Sequence, residues 1–165
     1  MQTGVGAERT EAIVGELSSN EISALFEALD DEYQAWATYD QVIADFGEVM
    51  PFTNIRDAEA RHIEALSVLF RAYGLAIPEN AWPGKVPRFG SVREACEAGI
   101  ASEVANAALY ERLLAATDRP DILTVFRRLQ EASQQRHLPD FPRCAERGGE
   151  DGGRRHQRRP RGGRP

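Results

Sequence analysis

The sequence predicts an all-α protein of four helices, arranged as two hairpins joined by one long crossover. Three observations carry this. Apolar residues recur at helical spacing in four segments, and no segment alternates with the period of a strand. The first and last connections are only about five residues long, which forces antiparallel neighbours. The middle connection, Leu75 to Gly90, is sixteen residues long and contains Pro78, Pro83, Gly84 and Pro87. Fully extended it spans roughly 50 Å, enough to traverse a helix of about 33 Å. An up-down bundle with an unstructured middle loop is the competing topology.

The first helix opens at Ser18, which can form a capping box with Glu21. Its apolar stripe runs through Ile22, Leu25, Phe26, Leu29, Tyr33, Trp36, Ala37 and Ile43, and Gly47 stops it. The second begins just after Pro51 and ends at Gly74, with Ile55, Ala58, Leu66, Leu69, Phe70 and Tyr73 on one face. A second capping box, Ser91 to Glu94, opens the third helix, which runs to about Thr117 through Val92, Cys96, Ala107, Tyr110 and Leu114. The fourth starts around Pro120-Asp121 and follows Ile122, Val125, Phe126, Leu129 and Ala132 until Pro139 interrupts it.

At 165 residues the chain makes one domain with a real core. We divide it into an N-terminal extension (1–17), the helical bundle (18–145) and a disordered Gly/Arg-rich tail (146–165). The formal charge of −6 is uneven: the tail carries seven arginines against three acids, a balance of +4, which leaves −10 on residues 1–145. An acidic body argues against nucleic acid as its ligand, although the basic tail could touch it. His156, within that tail, is not a site residue. No apolar run has the length of a membrane span and no signal-peptide core is visible, so a cytoplasmic protein that does not engage membranes is expected. Cys96 and Cys144 read as free thiols in a reducing compartment, with a disulfide between them left open.

Function is sought in the polar residues that point inward. His62 lies at the centre of the second helix's apolar face, and Glu59 falls within the same arc. A carboxylate and an imidazole turned into a core cost several kcal/mol each unless something pairs with them. On the third helix Glu103 is near the middle of the apolar face, and Gly99 one turn earlier either makes room for a neighbour or allows tight helix packing. The first helix offers Glu32, about 50° from its stripe centre, with Tyr39 two turns on along the same edge. Its rival is Asp40, which points more directly inward. The fourth helix offers His137 and, three residues before it, Gln134; Ser133 faces inward and Glu131 faces solvent. Counted from the connecting turns, Glu103, Gln134 and His137 share one depth, but Glu32 lies roughly 6 to 10 Å deeper than Glu59 and His62. Either the first hairpin is staggered or Asp40 replaces Glu32.

The order Glu32, Glu59-x-x-His62, Glu103, Gln134-x-x-His137 resembles the ferritin-like di-iron carboxylate proteins. There, one Glu from each of two helices and a Glu-x-x-His from each of the other two hold a pair of metals. The phrases DDEYQAWATYD, NIRDAEARHIEAL, NAALYERLL and ASQQRHLPDF are similar to a small ferritin-like group known as a domain of unknown function. The resemblance spans residues 18–145 and implies a ferritin-like antiparallel four-helix bundle. It departs at Gln134, which stands where the second motif has Glu; ferritins have a Gln on that helix at one metal site, and a Tyr placed as Tyr39 is after Glu32.

The resemblance implies two metal ions held by Glu32, Glu59, His62, Glu103, Gln134 and His137, with O2 or peroxide as the partner. Hard carboxylate oxygens with imidazoles suit iron first and manganese second. The implied reaction is oxidation of Fe(II) or reduction of peroxide or O2. Tyr39 and Tyr110 are the catalytic candidates, as hydrogen-bond donors to the ligands or quenchers of an oxidised intermediate; amphipathic core packing is their plainer role. The competing function is a non-catalytic bundle whose buried acids pair with Arg56, Arg61 or Arg112, and a third is partner binding through the tail. Pro139, Pro142 and the Gly-rich tail leave little room for the fifth helix of a ferritin cage, and a homodimer is the expected assembly.

Overall fold

A computed structural model describes residues 16–154, and within these it is all-helical. Most of the N-terminal extension and the end of the tail, including His156, lie outside the described residues. Helix α1 spans Ser19–Phe46, α2 Phe52–Ala72, α3 Val92–Leu114 and α4 Pro120–Ala132. A π turn, Ser133–His137, then joins α4 to α5, Leu138–Arg154. No helix among the described residues is long and apolar enough to cross a membrane.

The caps sit where the sequence puts them. Ser18 accepts from the Glu21 amide while the Glu21 carboxylate accepts from the Ser18 amide, a complete box. The second box is half formed: Ser91 accepts from the Glu94 amide, but the Glu94 carboxylate takes the Gly90 amide instead. Gly47 ends α1 with a φ of 86°, which a side chain would resist.

Pro139 does not interrupt the fourth helix. The π turn precedes it, and the Leu138 amide bonds back to the Ser133 carbonyl, five residues away. Pro139 then falls in the first turn of a restarted α-helix, where a proline is tolerated. The tail expected from residue 146 onward therefore begins inside α5. This extension places Phe141 over Gly99, where a Cβ would come within 2.5 Å of the ring, so Gly99 makes room for a close neighbour. It also places Cys144 against Cys96, and the two form a disulfide rather than free thiols, their Cα atoms 5.9 Å apart.

Helix α1 packs along α2, α3 packs against α4 and α5, and contacts of α1 with α3 and α2 with α4 join the pairs. Two apolar clusters result. One gathers Leu25, Leu29, Leu66, Phe70, Leu113 and Phe126; the other gathers Val42, Phe52, Ile55, Ala95 and Phe141. The crossover between α2 and α3 is fastened rather than loose. Tyr33 donates to the Pro78 carbonyl, Trp82 donates to Asp30, and Arg88 pairs with Asp45. It therefore runs beside α1, and its anchors are polar groups that find partners on that helix.

Candidate metal centre

Between the apolar clusters lie Glu32, Glu59, Glu103 and His137, each less than 5% exposed, with His62 at their edge. Four elements converge here: α1 brings Glu32, α2 brings Glu59 and His62, α3 brings Glu103, and the π turn brings His137. The residues form two groups able to hold a metal ion, Glu32–Glu59–His62 and Glu59–Glu103–His137, each with its ligand atoms within 4.8 Å of one another. Glu59 belongs to both. Its Oε2 lies 2.9 Å from His62 Nδ1 and its Oε1 lies 3.3 Å from His137 Nδ1.

The stagger decides the first helix. Glu32 Oε2 reaches His62 Nδ1 at 3.1 Å, while Asp40 pairs with Arg56 at 2.9 Å away from the centre. Gln134, expected among the ligands, is exposed rather than turned into the centre. Three residues advance less around a π turn than around an α turn, so turning His137 inward leaves Gln134 facing out. Glu131 is exposed, as its angle implies.

Each group has a buried tyrosine behind it. Tyr110 donates to Glu32 Oε1 at 2.6 Å, and Tyr39 donates to Glu103 Oε1 at 2.7 Å. Burial, then the charges of Glu103 for Tyr39 and Glu32 for Tyr110, push both phenols well above their ordinary range, so they remain donors. Sequence spacing alone missed Asn106, one turn after Glu103 on the same inward face. It donates to Asp31 at 2.6 Å and accepts from Ser133 at 2.5 Å, tying α1, α3 and the π turn together.

Electrostatics set the histidines against the acids. Burial, reinforced by the Glu59 charge, pushes the Glu32 carboxyl up to about 7. Burial also works to raise Glu59, but His137 and His62 outweigh it and hold this carboxyl below its ordinary value. Burial works to lower both imidazoles, yet Glu32 and Glu59 hold His62 up to about 10, and Glu103 and Glu59 hold His137 up to about 9. Among the described residues arginine takes no part: Arg56 pairs with Asp40 and Arg112 with Glu27.

The donor set fits a divalent metal. Three carboxylates and two imidazoles are hard and intermediate ligands of the kind that iron and manganese accept. One atom makes the case sharper. His137 Nδ1 is buried and lies 3.3 and 3.4 Å from Glu59 and Glu103, but no hydrogen bond satisfies it. A buried polar atom with charged neighbours but no closed hydrogen bond calls for an explanation, and an ion is one.

No protein-family model matches the chain, and no curated protein does. A solved structure, that of a hypothetical protein from Methanococcus jannaschii DSM 2661, is similar with a TM-score of 0.72 at 23% identity, covering 82% of this chain and 85% of that one. At that identity the likeness shows the fold alone.

Proposed function

We propose that this chain is a ferritin-like di-metal carboxylate protein that oxidises Fe(II) or reduces peroxide or O2 inside its helical bundle. The observation that carries the reading is Glu59, which offers one oxygen to each histidine and so can bridge two ions. Glu32 and His62 would complete one ion's ligands, and Glu103 and His137 the other's. Iron so bound supplies electron transfer to oxygen species; manganese is the second choice. The protein's own part is to hold the carboxylates. Tyr110 and Tyr39 fix one oxygen of Glu32 and of Glu103, leaving the other oxygen of each directed toward a histidine.

The bundle topology rests on contacts at opposite ends. Phe26, early in α1, packs on Phe70, late in α2, at 5.0 Å; Tyr39, late in α1, packs on Phe52, at the start of α2. Tyr110, late in α3, packs on Phe126 in α4, while Gly99, early in α3, meets Phe141 in α5. These support two antiparallel hairpins linked by the crossover, the ferritin-like arrangement.

The test is metal content per chain by mass spectrometry, on protein expressed with iron and manganese. About two metals in the natural chain and none in a Glu103→Ala, His62→Ala double variant is the expected result. No bound metal in the natural chain would sink the reading. A non-catalytic bundle would then stand, favoured by one observation: His62 already satisfies Glu32 and Glu59 within the protein.

A further inference from the structure

A cleft of about 270 Å³ opens between α2 and the helix formed by α4, the π turn and α5. Its lining includes both His62 and His137, so it is a way from solvent to each half of the centre. Three exposed arginines also line it: Arg61, Arg128 and Arg136. Among the described residues none of the three lies in an ion pair or a side-chain hydrogen bond, a state they share with Arg127, Arg143 and Arg147 outside the cleft, but only these three converge on one mouth. Asp140 is the one acid on the cleft, which leaves it cationic in a body that sums to −10. Apart from Asn54 the remaining wall is apolar, with Ala58, Leu129 and Ala132 among its residues.

We propose that this cleft binds a small organic oxyanion beside the metal centre, and that such an anion is the substrate class of the site. The proposal rests on the di-metal reading for its chemistry, but the binding site stands on the cleft alone. Arginine guanidinium groups present planar forks that match a carboxylate or a phosphate head. The alanines and Leu129 offer a dry surface for an apolar body, and the cleft is smaller than pockets that hold drug-sized ligands. Unpaired arginines gathered at a mouth attract anions and repel free divalent metal ions, so of the two proposed reactions this entrance favours reduction of peroxide or O2 over turnover of Fe(II) as bulk substrate.

The test uses the full chain loaded with Mn(II), its metal content measured by mass spectrometry, and 19F NMR titration with 4-fluorobenzoate, 4-fluorophenyl phosphate and the neutral 4-fluorobenzyl alcohol. We expect saturable binding of at least one anion, with its resonance broadened by the bound manganese, and no saturable binding of the alcohol. The tighter of the two anions identifies the head group. An R61Q/R128Q/R136Q variant should weaken binding at least tenfold, and an R127Q/R143Q variant, which removes charge outside the cleft, should leave it unchanged. Absence of saturable anion binding to manganese-loaded chain would overturn the proposal and leave the di-metal reading intact. Equal loss in both variants, or bound anion without broadening, would also overturn it. A chain that takes up neither manganese nor iron yet binds the anion through these arginines would sink the di-metal reading and keep the anion site.

Discussion

The two halves of the centre are built from the same residue types but differ in how they are closed. In the Glu32–Glu59–His62 half, His62 hydrogen-bonds both carboxylates, at 3.1 and 2.9 Å. In the Glu59–Glu103–His137 half, the imidazole nitrogen stays 3.3 and 3.4 Å away without a hydrogen bond. The first half lies on regular α-helices; the second depends on a π turn. A regular helix places Glu59 and His62 side by side at i and i+3, where they satisfy each other. His137 arrives from another element, and backbone geometry fixes its distance. The Glu59–His62 pair, set by local spacing, can persist without an ion, whereas His137, set by tertiary placement, is left without a closed hydrogen bond.

Removing the shared ligand should break both halves. Glu59→Ala is expected to abolish binding of both metals and to destabilise the chain by about 3–5 kcal/mol, because two buried imidazoles lose a charge partner. Retention of one metal in mass spectrometry would show that the halves do not share Glu59.

The pH dependence of the metal-free protein should follow from the raised groups. Folded His62 and His137 keep protons up to about 10 and 9, against an ordinary 6.5, so their stabilisation is full below pH 6.5 and is lost as pH rises through 9 and 10. Glu32, raised to about 7 from 4.5, also holds a proton that the unfolded chain has released, so stability falls across that interval too. Glu59, held low, acts in the opposite sense only in acid. Thermal melts of metal-free protein should therefore decline from pH 5 to 10. The gain from added Mn(II) should grow with pH, because binding displaces protons. A flat metal-free profile would contradict the pairing in both halves.

Single histidine variants sharpen the contrast. Without metal, His62→Ala should cost about 3 kcal/mol, since it removes the charged Nδ1–H donor shared by two buried carboxylates, and His137→Ala should cost clearly less. With metal each should lose one ion per chain. Equal losses of stability in urea titrations of the metal-free variants would remove the distinction.

The tyrosines give the smallest effect. Tyr110→Phe should weaken the Glu32 half and Tyr39→Phe the Glu103 half, each by 10- to 100-fold in metal affinity. Competition with a chelator would measure this. An identical effect of either change on both sites would show that the halves act as one.

Much of this was legible from residues. Angular position on a single helix depends only on spacing, so the inward turn of Glu59, His62 and Glu103, the caps at Ser18 and Ser91, and the exposure of Glu131 could be read directly. Glu32 against Asp40 could not, because the stagger of α1 on α2 is set by contacts such as Tyr39 on Phe52. Gln134 entered the ligand set through the resemblance and not through its angle, and no residue in SQQRH announces the π turn that carries His137.

The sequence by itself determined the helical class and the inward turn of Glu59, His62 and Glu103, since each follows from local periodicity and the high cost of burying unpaired charge. Tertiary structure alone decided that Glu59 faces two histidines, that Cys96 meets Cys144, and that Arg61 joins Arg128 and Arg136 at one cleft. These pairings join residues far apart in the chain. Their distances depend on the rotation and shift of one helix against another, which packing of the whole core sets and spacing within one helix does not encode.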